Sequence, residues 1–367
     1  MLALFVIVIL VALALQRYSV WRAQNCRDIQ YECKPSVSAC EPGDVFLVYS
    51  IVSNHGRRPS PAMRVEERFP KQLQVLEAEQ YTVQVLQNEH RIYNSTVVVR
   101  GRQQVKRYFR ACIPERGAYH FSCAEFSAGD FLGFHEYQFQ RDNDHTIVIY
   151  PPKIQNDRVL QAFSNAIDEI AMKKLLLEDP ISVCEYRDYT GREPMRQISW
   201  TQSAVRNKLI VKQFDPVWRH SVTIALDLQY HGDFDFHRQR QEFCFSLART
   251  FCELLEQRMI GYRLITNAII SHDVSKFSSM GGLGGSFSRI LYALGSAQNG
   301  SVCSVEQLLH EVVADPDARG VIVLITTRSD DAVRRALAET ADKTGERIIP
   351  LFADALLPAD GKGGFKQ

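Results

Sequence analysis

The stretch SVTIALDL, residues 221–228, decides how the second half of the chain is read. Its valine, isoleucine, alanine and leucines run on without polar alternation, the pattern of a strand buried on both faces. Such a strand needs helices above and below it, and the downstream sequence supplies them. FHRQRQEFCFSLARTFCELLEQRM (236–259) has helical period, with Cys244, Leu247, Ala248, Phe251 and Leu255 on an inner face and Glu242, Arg249, Glu253 and Glu256 outside. YRLITNAII (262–270), GVIVLITT (320–327) and RIIPLF (347–352) read as further strands; 286–297, 304–315 and 329–343 read as helices. Strands alternating with helices predict a doubly wound α/β sheet over 215–357, with a tail, 358–367, that is expected to fray.

Upstream lies RDYTGREPMRQISWTQSAVRNKLIVKQFD (187–215), with six basic residues and one tryptophan against Asp188, Glu193 and Asp215. Opposite charges so close in sequence predict an internally paired turn, since guanidinium groups make forked bonds to carboxylates. Trp200 is expected to pin this segment on the sheet, with Ile198, Leu209, Val211 and Phe214 as further anchors. The mixed charge argues against nucleic-acid binding. A helical stretch over 161–178, with the basic segment, makes up a connecting region over 153–214 and is expected to bridge the part before it and the α/β part after it; Pro151-Pro152 marks the boundary.

Residues 26–152 carry short strands and turns: DVFLVYSIVSN (44–54), then QQVKRYFRACIP (103–114), which alternates imperfectly around Val105, Tyr108 and Phe109, then GAYHFSCAEF and HTIVIYPP. That spacing predicts an all-β, immunoglobulin-like sandwich. The first residues, MLALFVIVILVALALQRYSVWR (1–22), hold an uncharged run followed by Arg17, Tyr18, Trp21 and Arg22. As a helix the whole stretch reaches ~33 Å, enough for a ~30 Å hydrocarbon core. A single transmembrane anchor is the reading, with a cleaved signal peptide as the rival. Basic residues follow the span and none precedes it, which places the bulk of the chain in the cytoplasm.

The formal net charge of the 367-residue chain is +1, so no global field steers a polyanion to it. Its nine cysteines show neither CxxC nor zinc spacing. Cys244 and Cys252 read as buried packing residues. Cys26, Cys33, Cys40, Cys112 and Cys123 read as reduced thiols, or as disulfide partners if that region is extracytoplasmic.

Ligands of open α/β sheets bind beyond the carboxyl ends of strands, which singles out DLQYH (227–231), SSMGGLGGS (278–286) and TTRSDD (326–331). With DLQYH at that place, the α/β part resembles a von Willebrand factor A-type domain, whose metal-binding members carry Asp-x-Ser-x-Ser there. Asp227 matches the first position, but Gln229 and His231 stand at the serines. A Mg²⁺ site would need Asp227 and Gln229 joined by groups such as Ser278, Ser279, Asp330 and Asp331; no metal or other cofactor is expected, and Asp227 reads as a backbone-bonding residue at a strand end. The GGLGG loop lacks P-loop spacing. No GxSxG, HExxH or paired motif carboxylates occur, and His220 and His231 stand alone, so a catalytic site is not expected.

Arg187, Tyr189, Ile198, Trp200, Ser203, Ala204, Leu209, Val211 and Phe214, with basic Arg196 and Lys212, resemble the signature of the bacterial domain of unknown function 58 family. Gly191 keeps its glycine, Arg192 replaces the acid common there, and Arg206 stands one place beyond the usual arginine. The resemblance implies that Arg187, Tyr189, Gly191, Arg196, Trp200, Ser203, Arg206 and Lys212 form a binding segment. It also implies partnership with a MoxR-type AAA ATPase and a transglutaminase-like membrane protein. The expected protein is a membrane-anchored, non-enzymatic adaptor. A divalent-metal-dependent adhesion-type binder facing outward is the alternative, and a hydrolase stands behind both.

Overall fold

The computed structural model describes residues 2–24, 28–76, 82–87, 90–129, 136–174, 183–191, 193, 195, 198–214, 222–229, 234–270, 278–281, 286–314, 321–344 and 348–356. Cys26, Arg192, Arg196, Asp215, His220, His231, most of the GGLGG loop and the tail 358–367 lie outside them. The chain forms two compact units, one of Met1–Pro152 together with Gly295–Ala297 and one of the other residues from Lys153 onward.

The first unit opens with helix α1 (Leu2–Gln24), apolar on every side and exposed along Leu4–Trp21. At about 1.5 Å per residue its 23 residues reach ~34 Å, so it is long and apolar enough to cross a membrane. Tyr18 and Trp21 stack near its end with ring centroids 6.2 Å apart, and the Arg58 guanidinium lies 4.8 Å from the Trp21 ring.

Among the described residues ten strands follow: β1 (Ile29–Pro35), β2 (Ala39–Cys40), β3 (Phe46–Asn54), β4 (Met63–Pro70), β5 (Gln74–Val75), β6 (Thr82–Gln87), β7 (His90–Val97), β8 (Gln103–Cys112), β9 (Gly117–Gly129) and β10 (Glu136–Ile149). They make two sheets, ordered β1-β3-β8-β5 and β2-β10-β9-β4-β7-β6, antiparallel except where β2 meets β10. Period-two alternation decides what faces inward. Val48, Ser50 and Val52 do so from β3, Met63, Val65, Glu67 and Phe69 from β4, and Phe109 and Ala111 from β8. Tyr108 points out to solvent, so β8 alternates more cleanly than its sequence suggests. Both sheets feed one core, in which the Phe69 ring meets Tyr93, Phe109 and Phe121 edge-on at 5.4, 5.5 and 5.8 Å.

A charged bolt crosses that core. Glu67 of β4 is fully buried and accepts hydrogen bonds from Tyr31 of β1 (2.8 Å) and Ser50 of β3. Arg107 of β8 holds its guanidinium 3.9 Å from Glu67 and donates to Ser95 of β7 at 2.5 Å. Burial, reinforced by the Glu67 charge, pushes the Tyr31 hydroxyl well above its ordinary pKa.

Among the described residues all cysteines in both units whose side chains are placed are free thiols. Burial drives Cys33, Cys244 and Cys252 far above the ordinary thiol range, whereas Cys40 rises to about 11. Alkylation of the native chain at pH 8, read by mass spectrometry, should therefore modify the half-exposed Cys112 and Cys123 and leave Cys33, Cys244 and Cys252 untouched until denaturant is added. Rapid labelling of Cys244 under native conditions would contradict this packing.

The second unit comprises α2 (Asp157–Lys174), β11 (Val183–Asp188), α3 (Trp200–Arg206), β12 (Ile210–Phe214), β13 (Val222–Asp227), α4 (Phe234–Gln257), β14 (Tyr262–Thr266), β15 (Ala268–Ile270), β16 (Ser278–Gly281), α5 (Ser286–Ser296), β17 (Ala297–Ser301), α6 (Val305–Ala314), β18 (Val321–Thr326), α7 (Asp331–Thr344), β19 (Ile348–Phe352) and α8 (Ala353–Leu356). Its main sheet is ordered β16-β14-β13-β18-β19, parallel except for the antiparallel edge strand β16. Every residue of β13 and β18 is buried. Ala225, Ile265, Ile322 and Leu324 join Leu308 and Val312 of α6 and Val333 and Ala336 of α7 in one cluster. The residues in alternate phase, Ile224, Leu226, Val323 and Ile325, are equally buried, and α4 packs on these same strands. Continuous apolar strands thus sit between two helical layers.

The outer face expected for α4 is not exposed. Arg249 is only 6% accessible, and the helix is enclosed over most of its length. The cause is α2 and the segment before it. Phe163 packs on Phe251 with ring centroids 5.0 Å apart, Ile154 N–H donates to the Thr250 hydroxyl (3.1 Å), and Lys153 pairs with Glu253 (2.6 Å). The helix expected to act as a bridge thus begins at Asp157 and is a lid on α4.

Candidate functional site

Two places bring sequence-predicted residues together. The first lies at the carboxyl ends of β13, β14 and β18. Asp227 is fully buried there, and both its oxygens are engaged: Oδ1 accepts from Asn267 Nδ2 (2.7 Å) and Gln229 N–H (3.0 Å), and Oδ2 from the Thr326 hydroxyl (2.7 Å). Burial pushes its carboxyl above the usual range, against those hydrogen bonds and the positive charge of Arg328. Gln229 Oε1 accepts from Val305 N–H (3.0 Å) and from Arg328 Nη2 (3.1 Å). Arg328 also pairs with Asp330 at 3.1 Å, while Asp330 accepts from Val333 N–H (3.0 Å) at the start of α7.

The cation at these strand ends is therefore an internal guanidinium. Among the described residues no group of three or more His, Cys, Asp or Glu side chains could hold a metal ion. Ser278 and Ser279 lie across from Thr266 and Ile265 in β16. Thr326 and Arg328 fall in the TTRSDD stretch that the strand-end rule singles out, whereas Asn267 is not singled out; its signal is an Asn interrupting the apolar run YRLITNAII, where a buried amide must find partners. It finds them in Asp227, Leu228 N–H (2.9 Å) and the Cys303 carbonyl (3.0 Å). The cluster ties the segments that follow β13, β14 and β18 together.

The second place is the family-like segment. β11 and β12 form a separate antiparallel ribbon, and Ile198 adds a bridge to Val211 on the far side of β12. Gly191 has φ +87°, in the left-handed region that favours glycine, and so turns the chain between Tyr189 and Glu193. Glu193 accepts from the Thr190 hydroxyl (2.8 Å) and N–H (3.1 Å), and Arg187 pairs with it at 2.9 Å. Here the segment is an internally paired turn. The Thr190 hydroxyl bond, helped by nearby N–H groups and Arg187, lowers Glu193 from 4.5 to about 2. Its contribution to holding the turn is then complete above pH 4.5 and is lost as the pH falls toward 2. In an NMR titration of labelled glutamate, Thr190→Val should move the Glu193 midpoint up toward the ordinary value; an unmoved midpoint would refute the hydroxyl's role.

Helix α3 inverts the expected packing. Its buried residue is Ser203, 8% accessible, whose hydroxyl accepts from Ile210 N–H at 2.8 Å. Trp200, Thr201, Ala204 and Val205 are all exposed, with Trp200 61% and Val205 77% accessible; at 100° per residue Thr201 and Val205 lie opposite Ser203, and Trp200 lies about 60° from it. Trp200 therefore does not pin the segment on the sheet; Ile198, Ile210 and Val211 anchor it, and Leu209 is exposed. Asn207, at φ +53°, ends α3 in the left-handed conformation that asparagine tolerates, turning the chain into β12. Tyr186 and Met195 add exposed apolar surface, Arg187 and Arg206 are exposed, and Lys212 is half-buried. Arg196 falls outside the described residues.

No protein-family model and no curated protein matches the chain. Among solved structures, a CARDB domain from Pyrococcus furiosus is similar at 13% identity over 32% of this chain and 87% of its own, with a TM-score of 0.19. A non-cellulosomal cohesin from Archaeoglobus fulgidus is similar at 11% identity over 36% of this chain and 96% of its own, TM-score 0.22. A type II cohesin domain from the cellulosome of Acetivibrio cellulolyticus is similar at 8% identity over 33% of this chain and 94% of its own, TM-score 0.24. These immunoglobulin-like neighbours fit the large β-rich part of the chain and carry no argument about what it binds.

Proposed function

We propose that the chain is a membrane-anchored, non-enzymatic interaction protein whose docking face is α3 and the turn before it. The observation that carries this reading is the exposure of α3: Trp200 is 61% and Val205 77% accessible, while the one side chain the helix buries is Ser203. Covering that apolar surface would be favourable. Full burial of two such side chains contributes about 3–6 kcal/mol. Trp, Tyr, Met and Arg are the residue types that concentrate binding energy at protein interfaces. The apolar α1 supports the anchor, and the sequence positions of Arg17, Arg22 and Arg27 after its apolar run support the bulk of the chain being on the cytoplasmic side. The sheet order with its antiparallel edge strand supports a von Willebrand A-type second unit, and the signature resemblance supports a MoxR-type AAA ATPase as the partner, alongside a transglutaminase-like membrane protein.

The test is capture of the cognate ATPase by the full chain in detergent, with and without ATP. Wild type should enrich the ATPase, and Trp200→Ala should lower the yield about tenfold or more. Absence of enrichment in both nucleotide states would overturn the ATPase assignment.

A further inference from the structure

We infer that the rim of the β-sandwich beside the end of α1 is a seat for anionic phospholipid headgroups, held by Arg57, Arg58, Arg100 and Arg102. This rests on the reading of α1 as a membrane anchor. The loops after β3 (55–62) and after β7 (98–102) hold these four arginines and no acid. Short bonds lock the two loops together. The buried Asn54 donates through Nδ2 to the carbonyls of Arg58 (2.8 Å) and Val99 (3.1 Å). Arg102 N–H donates to the Gly56 carbonyl (2.9 Å). Ser60 N–H donates to the Val99 carbonyl and its hydroxyl accepts from Val99 N–H, both at 2.8 Å. A Cβ at Gly101 would strike the Arg57 carbonyl, so the close approach of the loops requires glycine there. The four arginines thus stand on one rim, all of them exposed, and among the described residues no carboxylate pairs with any of them. Asp28 has its carboxylate beside Gly56, and Glu136 opens β10 at the same end; the four cations leave a surplus over both.

Continuity with α1 selects a bilayer as the occupant. Tyr18 and Trp21, which stack on each other, are residue types that settle at headgroup level, and the Arg58 guanidinium lies 4.8 Å from the Trp21 ring. With α1 across the hydrocarbon, Trp21 emerges among the headgroups and Arg58 comes with it. The bonded loops keep the other three arginines alongside, and an anionic surface attracts charge over about 8–10 Å. Val98, 54% accessible on the same rim, offers apolar surface to the boundary between headgroups and acyl chains. A soluble polyanion fits less well, because a chain of net charge +1 has no wider field to draw it in.

The experiment reconstitutes the full-length chain, with photoreactive benzoylphenylalanine at position 98, into vesicles of phosphatidylcholine alone or with about 30% phosphatidylglycerol. Lipid adducts, read by mass spectrometry, should be about fivefold or more abundant in the anionic vesicles and should decline as salt is raised. The pair Arg57→Gln/Arg102→Gln should bring them down to the neutral-vesicle level, and Arg57→Lys/Arg102→Lys should keep them within about twofold of the parent. Without any substitution, amide exchange in 55–62 and 98–102 should be slower in the anionic vesicles than in the neutral ones. Equal adduct yields in the two vesicle types, a yield indifferent to the glutamine pair, or unchanged exchange would overturn the inference. In native membranes, adducts with RNA or with a protein in place of lipid would do so as well. Alkaline carbonate extraction reads the anchor separately. A chain that resists extraction yet shows no preference for anionic lipid overturns the headgroup seat and leaves the anchor standing. A chain that carbonate strips off, but that still forms the anionic adducts, does the reverse.

Discussion

Replacing Glu67 by alanine is expected to destabilise the first unit by about 3–5 kcal/mol, a fall in melting temperature on the order of 10 °C. The substitution removes the acceptor for Tyr31 and Ser50 and leaves Arg107 facing an apolar core without its countercharge. Glu67→Gln keeps an acceptor for the two hydroxyls and loses only the charge, so about half of that cost is expected. The double variant Glu67→Leu/Arg107→Met should be more stable than the sum of its single changes predicts, because a buried pair costs most when only one member is removed. Thermal unfolding followed by circular dichroism decides it. A Glu67→Ala chain that melts with wild type would show that the cross-sheet bolt contributes nothing.

Asp227→Ala is the second large effect, at about 3 kcal/mol, because it removes at once the acceptor for the Thr326 hydroxyl and the Gln229 N–H and one of the two acceptors for the Asn267 amide. Hydrogen exchange should then rise in β13 and β18 while β3 and β8 stay protected. Asp227→Asn retains one acceptor oxygen and should cost under about 1 kcal/mol. The pH dependence has a fixed sign. Burial raises the folded-state pKa of Asp227, so ionisation opposes folding as the pH climbs from its unfolded value through its folded one. Wild type should therefore gain on Asp227→Asn as the pH is lowered through that window. The opposite trend would mean that hydrogen bonds, not burial, govern this carboxyl.

What could be read in the sequence followed from periods short enough to survive without tertiary context. SVTIALDL and GVIVLITT, apolar throughout, became the two central strands of the parallel sheet. Alternation was readable too, and could have been pressed further: Glu67 stands in phase with Val65 and Phe69, as does Ser50 with Val48 and Val52, so the buried bolt was latent in the β-strand period. Arg249 was misread because α4 has one apolar face by local pattern, while its second cover comes from α2, far away along the chain. Trp200 was misplaced for a related reason. Tryptophan argues for burial in general, but Ile198, Ile210 and Val211 anchor this segment, and α3 buries only Ser203, whose hydroxyl accepts from Ile210 N–H. At the strand ends, Asp227 was found and its role as a backbone-bonding residue anticipated; the Asn267, Thr326 and Arg328 that complete its surroundings come from other strands and loops.

The cover that α2 lays over α4 has a consequence for biosynthesis. Eighty-eight residues separate Phe163 from Phe251, so the ribosome releases the lid well before the helix it closes upon. Through that interval the nascent chain carries an amphipathic segment with its greasy stripe unshielded, a natural handhold for chaperones. Vectorial synthesis thus makes folding of this half wait on its later residues, and a transcript cut short before α4 would yield a product prone to clump rather than a smaller working piece.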